Sequence, residues 1–167
     1  MRHLKFPLFA LLATIAAGIA FAQGAQVAFG GLQHDTTLPV EMSADQLRID
    51  QRDGSALFTG NVLIGQGDMR LSAAKVRVEY ATAGGDSTGR VSRLLATGGV
   101  TLVSGAEAAE AKEADYSIDT GVIIMTGNVI LTQGRNALSS DKMVIDLTTG
   151  VGTMDGRVKS ILRTGDN

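Results

Sequence analysis

The pentapeptide Phe58-Thr59-Gly60-Asn61-Val62 returns as Met125-Thr126-Gly127-Asn128-Val129, with Ala96-Thr97-Gly98-Gly99-Val100 between them and Met154-Asp155-Gly156-Arg157-Val158 after them. The four glycines stand 38, 29 and 29 residues apart. A fixed period means that one supersecondary unit is stacked on copies of itself, so the chain reads as four turns of one unit around a shared core. The first interval exceeds the others by 9, and the surplus falls in the glycine-rich AGGDSTGRVSR at 83–93, which reads as a longer turn. Residues 44–62 also align without a gap on 140–158. Asp45 meets Asp141, Ile49 meets Ile145, Asp50 meets Asp146, Gly54 meets Gly150, Phe58 meets Met154 and Val62 meets Val158.

Within each turn the apolar residues alternate, which places them on one face of a strand. The inward set is Leu47, Ile49, Phe58, Val62, Ile64, Val76, Val78, Val100, Leu102, Met125, Val129, Leu131, Met143 and Ile145. Abundant Val, Ile, Leu and Thr, with Pro39 the only proline beyond residue 22, specify an all-β domain. Asp53-Gly54 supplies a tight hairpin-type turn. AEAAEAKEAD, residues 106–115, has the best helix propensity in the domain. The repeat nevertheless sets it opposite LSAAKVRVEY and LSSDKMVIDL, so it is expected to be a strand.

The N-terminal MRHLKFPLFALLATIAAGIAFA carries Arg2 and Lys5, an apolar run from Phe6 to Ala20, and an Ala20-Phe21-Ala22 cleavage pattern. This reads as a secretory signal over 1–22, with the mature chain beginning at Gln23. The run is short for a membrane anchor, which needs roughly 20 apolar residues. Residues 23–37 lack a sustained period and read as a flexible leader, residues 38–163 as one domain and 164–167 as a tail. Without the signal's two cations, 13 basic residues face 17 acidic ones, a net charge of −4 that disfavours nucleic acid as a partner. The absence of cysteine excludes disulfides and thiol chemistry.

Motifs for catalysis and metal binding lack their partners. Gly85-Asp86-Ser87-Thr88-Gly89 spells the G-x-S-x-G of a hydrolase elbow, but His3 and His34 both precede the serine and none follows it. Arg90 and Val91 stand where a phosphate-binding loop needs Lys and Ser or Thr. Asp45, Asp50, Asp141 and Asp146 recur in register, but their spacing along strands suits turns and edges better than a calcium site. No catalytic residue, metal or cofactor is expected.

LPVEMSADQLRID, FTGNVLIGQGDMRLSAAKVRVEY and AEAKEADYSIDTGVIIMTGNVILTQGRNALSSDKMVIDLTTG together resemble the LptA/OstA-type periplasmic lipopolysaccharide-transport proteins over about residues 38–158. Ser139-Ser140-Asp141 departs from the family pattern, where a glycine-aspartate pair is common. The resemblance implies an open β-jellyroll whose greasy interior, lined here by the inward set, holds the acyl chains of lipopolysaccharide. It also implies copies joined end to end, with homologous-fold components at the inner and outer membranes of a Gram-negative periplasm. From the residues alone, medium aliphatics suit either a self-filled core or a channel for flexible chains. A structural repeat domain, or an adaptor without lipid cargo, is the alternative function. Arg48, Arg70, Lys75 and Arg77 are candidate phosphate contacts, although such residues on half-exposed strands are ordinarily solvated. An open sheet leaves two edges where another chain can add. They are expected at Leu38, Val40 and Met42, and at Val158, Ser160 and Leu162, giving head-to-tail oligomers.

Overall fold

The computed structural model describes residues 25–28 and 33–162. The expected signal and tail lie outside that range. Eleven strands are present among the described residues: β1 (Ala25–Ala28), β2 (Glu41–Ser43), β3 (Gln46–Asp50), β4 (Ser55–Gln66), β5 (Met69–Ala83), β6 (Asp86–Ser104), β7 (Glu107–Ser117), β8 (Val122–Gln133), β9 (Asn136–Asp146), β10 (Val151–Asp155) and β11 (Lys159–Ile161). They form one sheet in the order β1-β10-β9-β8-β7-β6-β5-β4-β2, with β3 also on β4 and β11 also on β9. All pairings are antiparallel.

The repeated glycine phrase is a fold line. Pairing register breaks between Thr59 and Val62, Thr97 and Val100, and Thr126 and Val129, with matching breaks at Ala73/Lys75 and Glu110/Glu113 on the strands between. Gly60, Gly98, Gly127 and Gly156 have φ of +79°, +86°, +86° and +76°. The residue after each, Asn61, Gly99, Asn128 or Arg157, is left-handed as well. Two left-handed residues in succession bend a strand, and bulges at one level across neighbouring strands crease the whole sheet. Glycine and asparagine are the residues that accept this conformation most readily, hence the recurring Gly-Asn. Asp45 and Asp141 close the two ends of the crease. Their backbone N–H groups donate to Gly60 O and Gly156 O, each at 2.9 Å. Their carboxylates accept from Asn61 Nδ2 at 2.9 Å and from Arg157 Nε at 3.0 and 3.1 Å. The recurring aspartates are therefore crease clamps, which also accounts for the left-handed Arg157.

The crease divides the sheet into two leaves. One contains β3, 55–59, 75–83, 86–97, 113–117, 122–126, 142–146 and β10; the other contains β2, 62–66, 69–73, 100–104, 107–111, 129–133, 136–140 and β11. Their inner faces share one core. In the first leaf Phe58, Val76, Ala96, Ala114, Met125, Met143 and Met154 are successive cross-strand partners. In the second, Met42, Ile64, Leu71, Leu102, Ala109, Leu131 and Leu138 run in the same way. The open all-β jellyroll expected from the sequence is the fold observed.

Residues 107–117 form β7, paired on both sides, with Ala109 and Ala114 buried and Glu110, Lys112 and Glu113 exposed. Two full ladders of backbone hydrogen bonds outweigh the helix propensity of this segment. Three expectations are corrected. Residues 83–93 are not a longer turn: β5 and β6 lengthen into a paired hairpin with the turn at Gly84-Gly85. The leader is not wholly unstructured, since Ala25–Ala28 pair with β10 and His34 N donates to Leu147 O at 2.9 Å. Main-chain groups satisfy a sheet edge whatever the side-chain pattern, so the missing periodicity there did not report the pairing. Leu47 and Ile49 are not inside: they continue the inner rows beside Phe58 and Ala56, yet are 53% and 66% exposed. β3 is the last strand of its leaf, and no facing leaf covers it.

A side chain at Gly98 would meet Ala74 Cβ at 2.7 Å, whereas nothing lies within 4 Å of a Cβ at Gly105, which is also left-handed. Gly98→Ala should destabilise the fold by about 2–3 kcal/mol and Gly105→Ala by about 1 kcal/mol. Urea denaturation of the two variants checks this, and equal losses would remove the crease from its structural role.

Candidate functional site

The interior between the leaves is apolar and filled. Val62, Ile64, Val76, Val78, Val100, Leu102, Met125, Val129, Leu131, Met143 and Ile145 are all buried, and Phe58 packs half-buried against them. Met125, Met143 and Met154 are buried cross-strand partners, so thioethers make up much of the large volume in that part of the core, and Met69 is buried opposite Gln66 in the other leaf. Methionine has three rotatable bonds and repacks readily, a property useful wherever a flexible chain replaces part of a core. Met125, Met143 and Met154 have no solvent exposure, so this part of the interior is closed to solvent.

One polar cluster interrupts this interior. Tyr116, at the end of β7 in the first leaf, donates its hydroxyl proton to Gln66 Oε1 at 2.8 Å; Gln66 ends β4 in the second leaf. Both side chains are 1% exposed. Gln66 Nε2 in turn donates to Thr36 O at 3.0 Å and Leu38 O at 2.9 Å, so its buried amide is satisfied from both sides. Burial pushes the Tyr116 hydroxyl up to about 12, although its hydrogen bond to Gln66 pulls the other way. The sequence carried a signal for this pair that alternation alone would have found. Gln66 is in phase with Val62 and Ile64, so it had to point inward.

The outer face bears a ladder of ion pairs in place of a free basic patch. Arg77 contacts Asp53 at 2.6 Å and Glu79 at 3.7 Å, and Arg93 contacts Glu79 at 3.9 Å and also pairs with Asp115. Hydrogen bonds from Ser55 and Arg77 hold Asp53 down at about 2. Arg70 folds back onto Gly67 O and Met69 O. Of the four candidate phosphate contacts, Arg70 and Arg77 are therefore already engaged, while Arg48 and Lys75 are exposed. Ser87 is exposed in the β5–β6 hairpin, where its hydroxyl accepts from Gly89 N at 3.3 Å. Asp50 pairs with Arg52, and Asp146 accepts from Thr148 N and Thr149 N. These two acids serve turns at the ends of β3 and β9.

Residues 41–151 match the family described as "LptA/(LptD N-terminal domain) LPS transport protein". The chain belongs to this family. It is 30% identical over 116 residues to the uncharacterized protein R00383 of Rhizobium meliloti (strain 1021), covering 68% of this chain and 62% of that relative's length. Among solved structures it resembles LptH, described as the LptA homologous periplasmic component of the conserved lipopolysaccharide transport device from Pseudomonas aeruginosa. That likeness has a TM-score of 0.68 at 15% identity and covers 78% of this chain and 99% of LptH. At this identity it shows the shared fold. The matched family span begins at Glu41, so β1 and residues 33–40 lie outside it.

The Tyr116 environment predicts an alkaline limit on stability. Its ionisation is raised in the fold relative to the usual value of 10, so its contribution is full below pH 10 and is lost as pH rises toward 12. The loss should reach roughly 2–3 kcal/mol. Denaturant midpoints of the native chain and Tyr116→Phe, measured from pH 8 to 12, should show a steeper alkaline decline for the native chain, and parallel curves would refute the assignment.

Proposed function

We propose that this protein is a periplasmic lipopolysaccharide carrier, exported with cleavage near Ala22/Gln23, that shelters lipid A acyl chains between its leaves. On this reading it passes lipopolysaccharide from inner-membrane to outer-membrane components of homologous fold. Family membership supports the cargo, and the observation that carries the mechanism is the apolar inner face of the creased sheet. The net charge is negative, like the cargo, so attraction between net charges cannot supply affinity. Burial contributes about 0.8 kcal/mol per CH₂, or on the order of 10 kcal/mol for a chain of a dozen carbons, and therefore dominates. Opening the leaves offsets part of this gain, because the core gives up its own contacts.

The sheet edges support head-to-tail assembly with a sharper division than the sequence suggested. At one end β2 and β3 are terminal, and Leu47 and Ile49 stand exposed on the inner face. Leu38 and Val40 precede β2 instead of belonging to it, and Met42 packs against the core. At the other end β11 is exposed, with Ile161 at 68% and Leu162 at 61%, flanked by Val158 and Ser160. β10 is already paired with β1. We assign the junction to β11 of one copy and the β2–β3 edge of the next, where apolar residues of each edge find cover. The filled interior favours a second reading, an envelope adaptor that assembles by its edges and carries no lipid.

Photo-crosslinking groups at Met125 and Leu131 should capture lipopolysaccharide, and groups at Arg48, Arg77 and Thr132 should not. Mass analysis after incubation with lipopolysaccharide gives the same answer independently, and a protein that stays lipid-free, with capture above background at neither face, supports the adaptor. Phe58→Asp should abolish capture, because an unpaired charge in this interior costs several kcal/mol. Truncation after Val158 should abolish concentration-dependent assembly, read by light scattering, without preventing lipid capture by the monomer.

A further inference from the structure

Residues 33–40 run from one leaf to the other. Gln33 Nε2 donates to Thr148 O at 3.2 Å and His34 N to Leu147 O at 2.9 Å, both in the β9–β10 turn of the first leaf. Thr36 O and Leu38 O then accept from Gln66 at the tip of the second leaf, and the chain enters β2 against β4. Beside this crossing lies an open cleft of about 480 Å³ lined by Thr36, Leu38, Val40, Arg90, Val91 and Ile118, among others. Its volume falls in the range of small-ligand sites, about 300–1,000 Å³. Tyr116 and Gln66 tie the leaves together beneath the same strap.

We infer that residues 33–40 are a gate on the interior, and that Gln66 and Tyr116 are its clasp, deciding whether an acyl chain can pass between the leaves. This rests on the carrier reading above. Three features favour a device that opens over a permanent brace. The strap is held to each leaf by a few hydrogen bonds and inserts no strand between them. His34 Nε2 is buried in the closed seat with no protein hydrogen-bond partner, so that contact is one of shape and not of bonding. The clasp is one side-chain pair, Tyr116 with Gln66, at the leaf tips.

The chain has no cysteine, so one engineered pair can lock the strap. Thr36 Cγ2 lies 3.2 Å from the position of a Cβ on Gly121, within reach of a disulfide. Uptake of 1-pyrenedodecanoic acid by the full mature chain, followed by stopped-flow fluorescence, should be about 5-fold faster in Tyr116→Phe and Gln66→Leu than in the native chain. The oxidised Thr36→Cys/Gly121→Cys chain should take up the probe at least ~10-fold more slowly, and reductant should restore the native rate. Circular dichroism confirms that each variant is folded, and the reduced double-cysteine chain serves as its own control. Native uptake at rates unaffected by the clasp variants and by the staple overturns the gate while leaving the carrier intact. A native chain that binds neither this probe nor lipopolysaccharide overturns the carrier reading and the gate with it.

Discussion

The structure depends on one backbone event repeated at one level: two consecutive left-handed residues that bend a strand. A single antiparallel sheet with an apolar face would leave that face in water, and a lone sheet has no facing layer to cover it. Creasing at Gly60, Gly98, Gly127 and Gly156 lets the sheet cover itself. The cross-strand rows from Phe58 to Met154 and from Met42 to Leu138 then meet as the two sides of one core. Asp45 and Asp141 end the line because the terminal strands are interrupted there, β2 from β3 and β10 from β11. At each break the aspartate's backbone N–H is satisfied by a glycine carbonyl, and its carboxylate holds the Asn61 or Arg157 side chain.

A creased sheet has consequences that a closed barrel lacks. Its leaves are joined along the crease, and among the described residues their free ends are joined by the main chain of the strap and one hydrogen-bonded side-chain pair. Its terminal strands remain edges, and Leu47, Ile49 and Ile161 stand there without cover. β1 changes the balance at one end, because it satisfies β10 from within the same chain and leaves β11 as the shorter, open segment.

The crease and the inner rows were legible in the sequence, since periodicity in glycine and in aliphatic residues is a direct imprint of repeated geometry. Alternation gave the right phase even for Leu47 and Ile49. It could not say whether a facing leaf extends over β3, because cover depends on where the opposite leaf ends. The pairing of residues 25–28 left no imprint either, for main-chain hydrogen bonding asks nothing of side chains. Gln66 was legible but passed over: its phase with Val62 and Ile64 placed it inside, and a glutamine inside must find donors and acceptors. Its actual partners, Tyr116 and two carbonyls of the strap, lie 28 to 50 residues away in sequence and could only be located in the fold.

A carrier that hands its cargo onward must not hold it at the full value of acyl burial. An interior permanently open to lipid would gain on the order of 10 kcal/mol for each chain of a dozen carbons, and release would be correspondingly slow. Here the empty interior is packed with its own side chains, so the favourable term on binding is the difference between acyl packing and the core contacts surrendered. Methionines at 125, 143 and 154 narrow that difference, because they can follow either partner without strain. On the carrier reading, a self-filled core and a lipid channel are two states of one inner face, and the closure across the leaf tips, more than the composition of the interior, would set which state is populated.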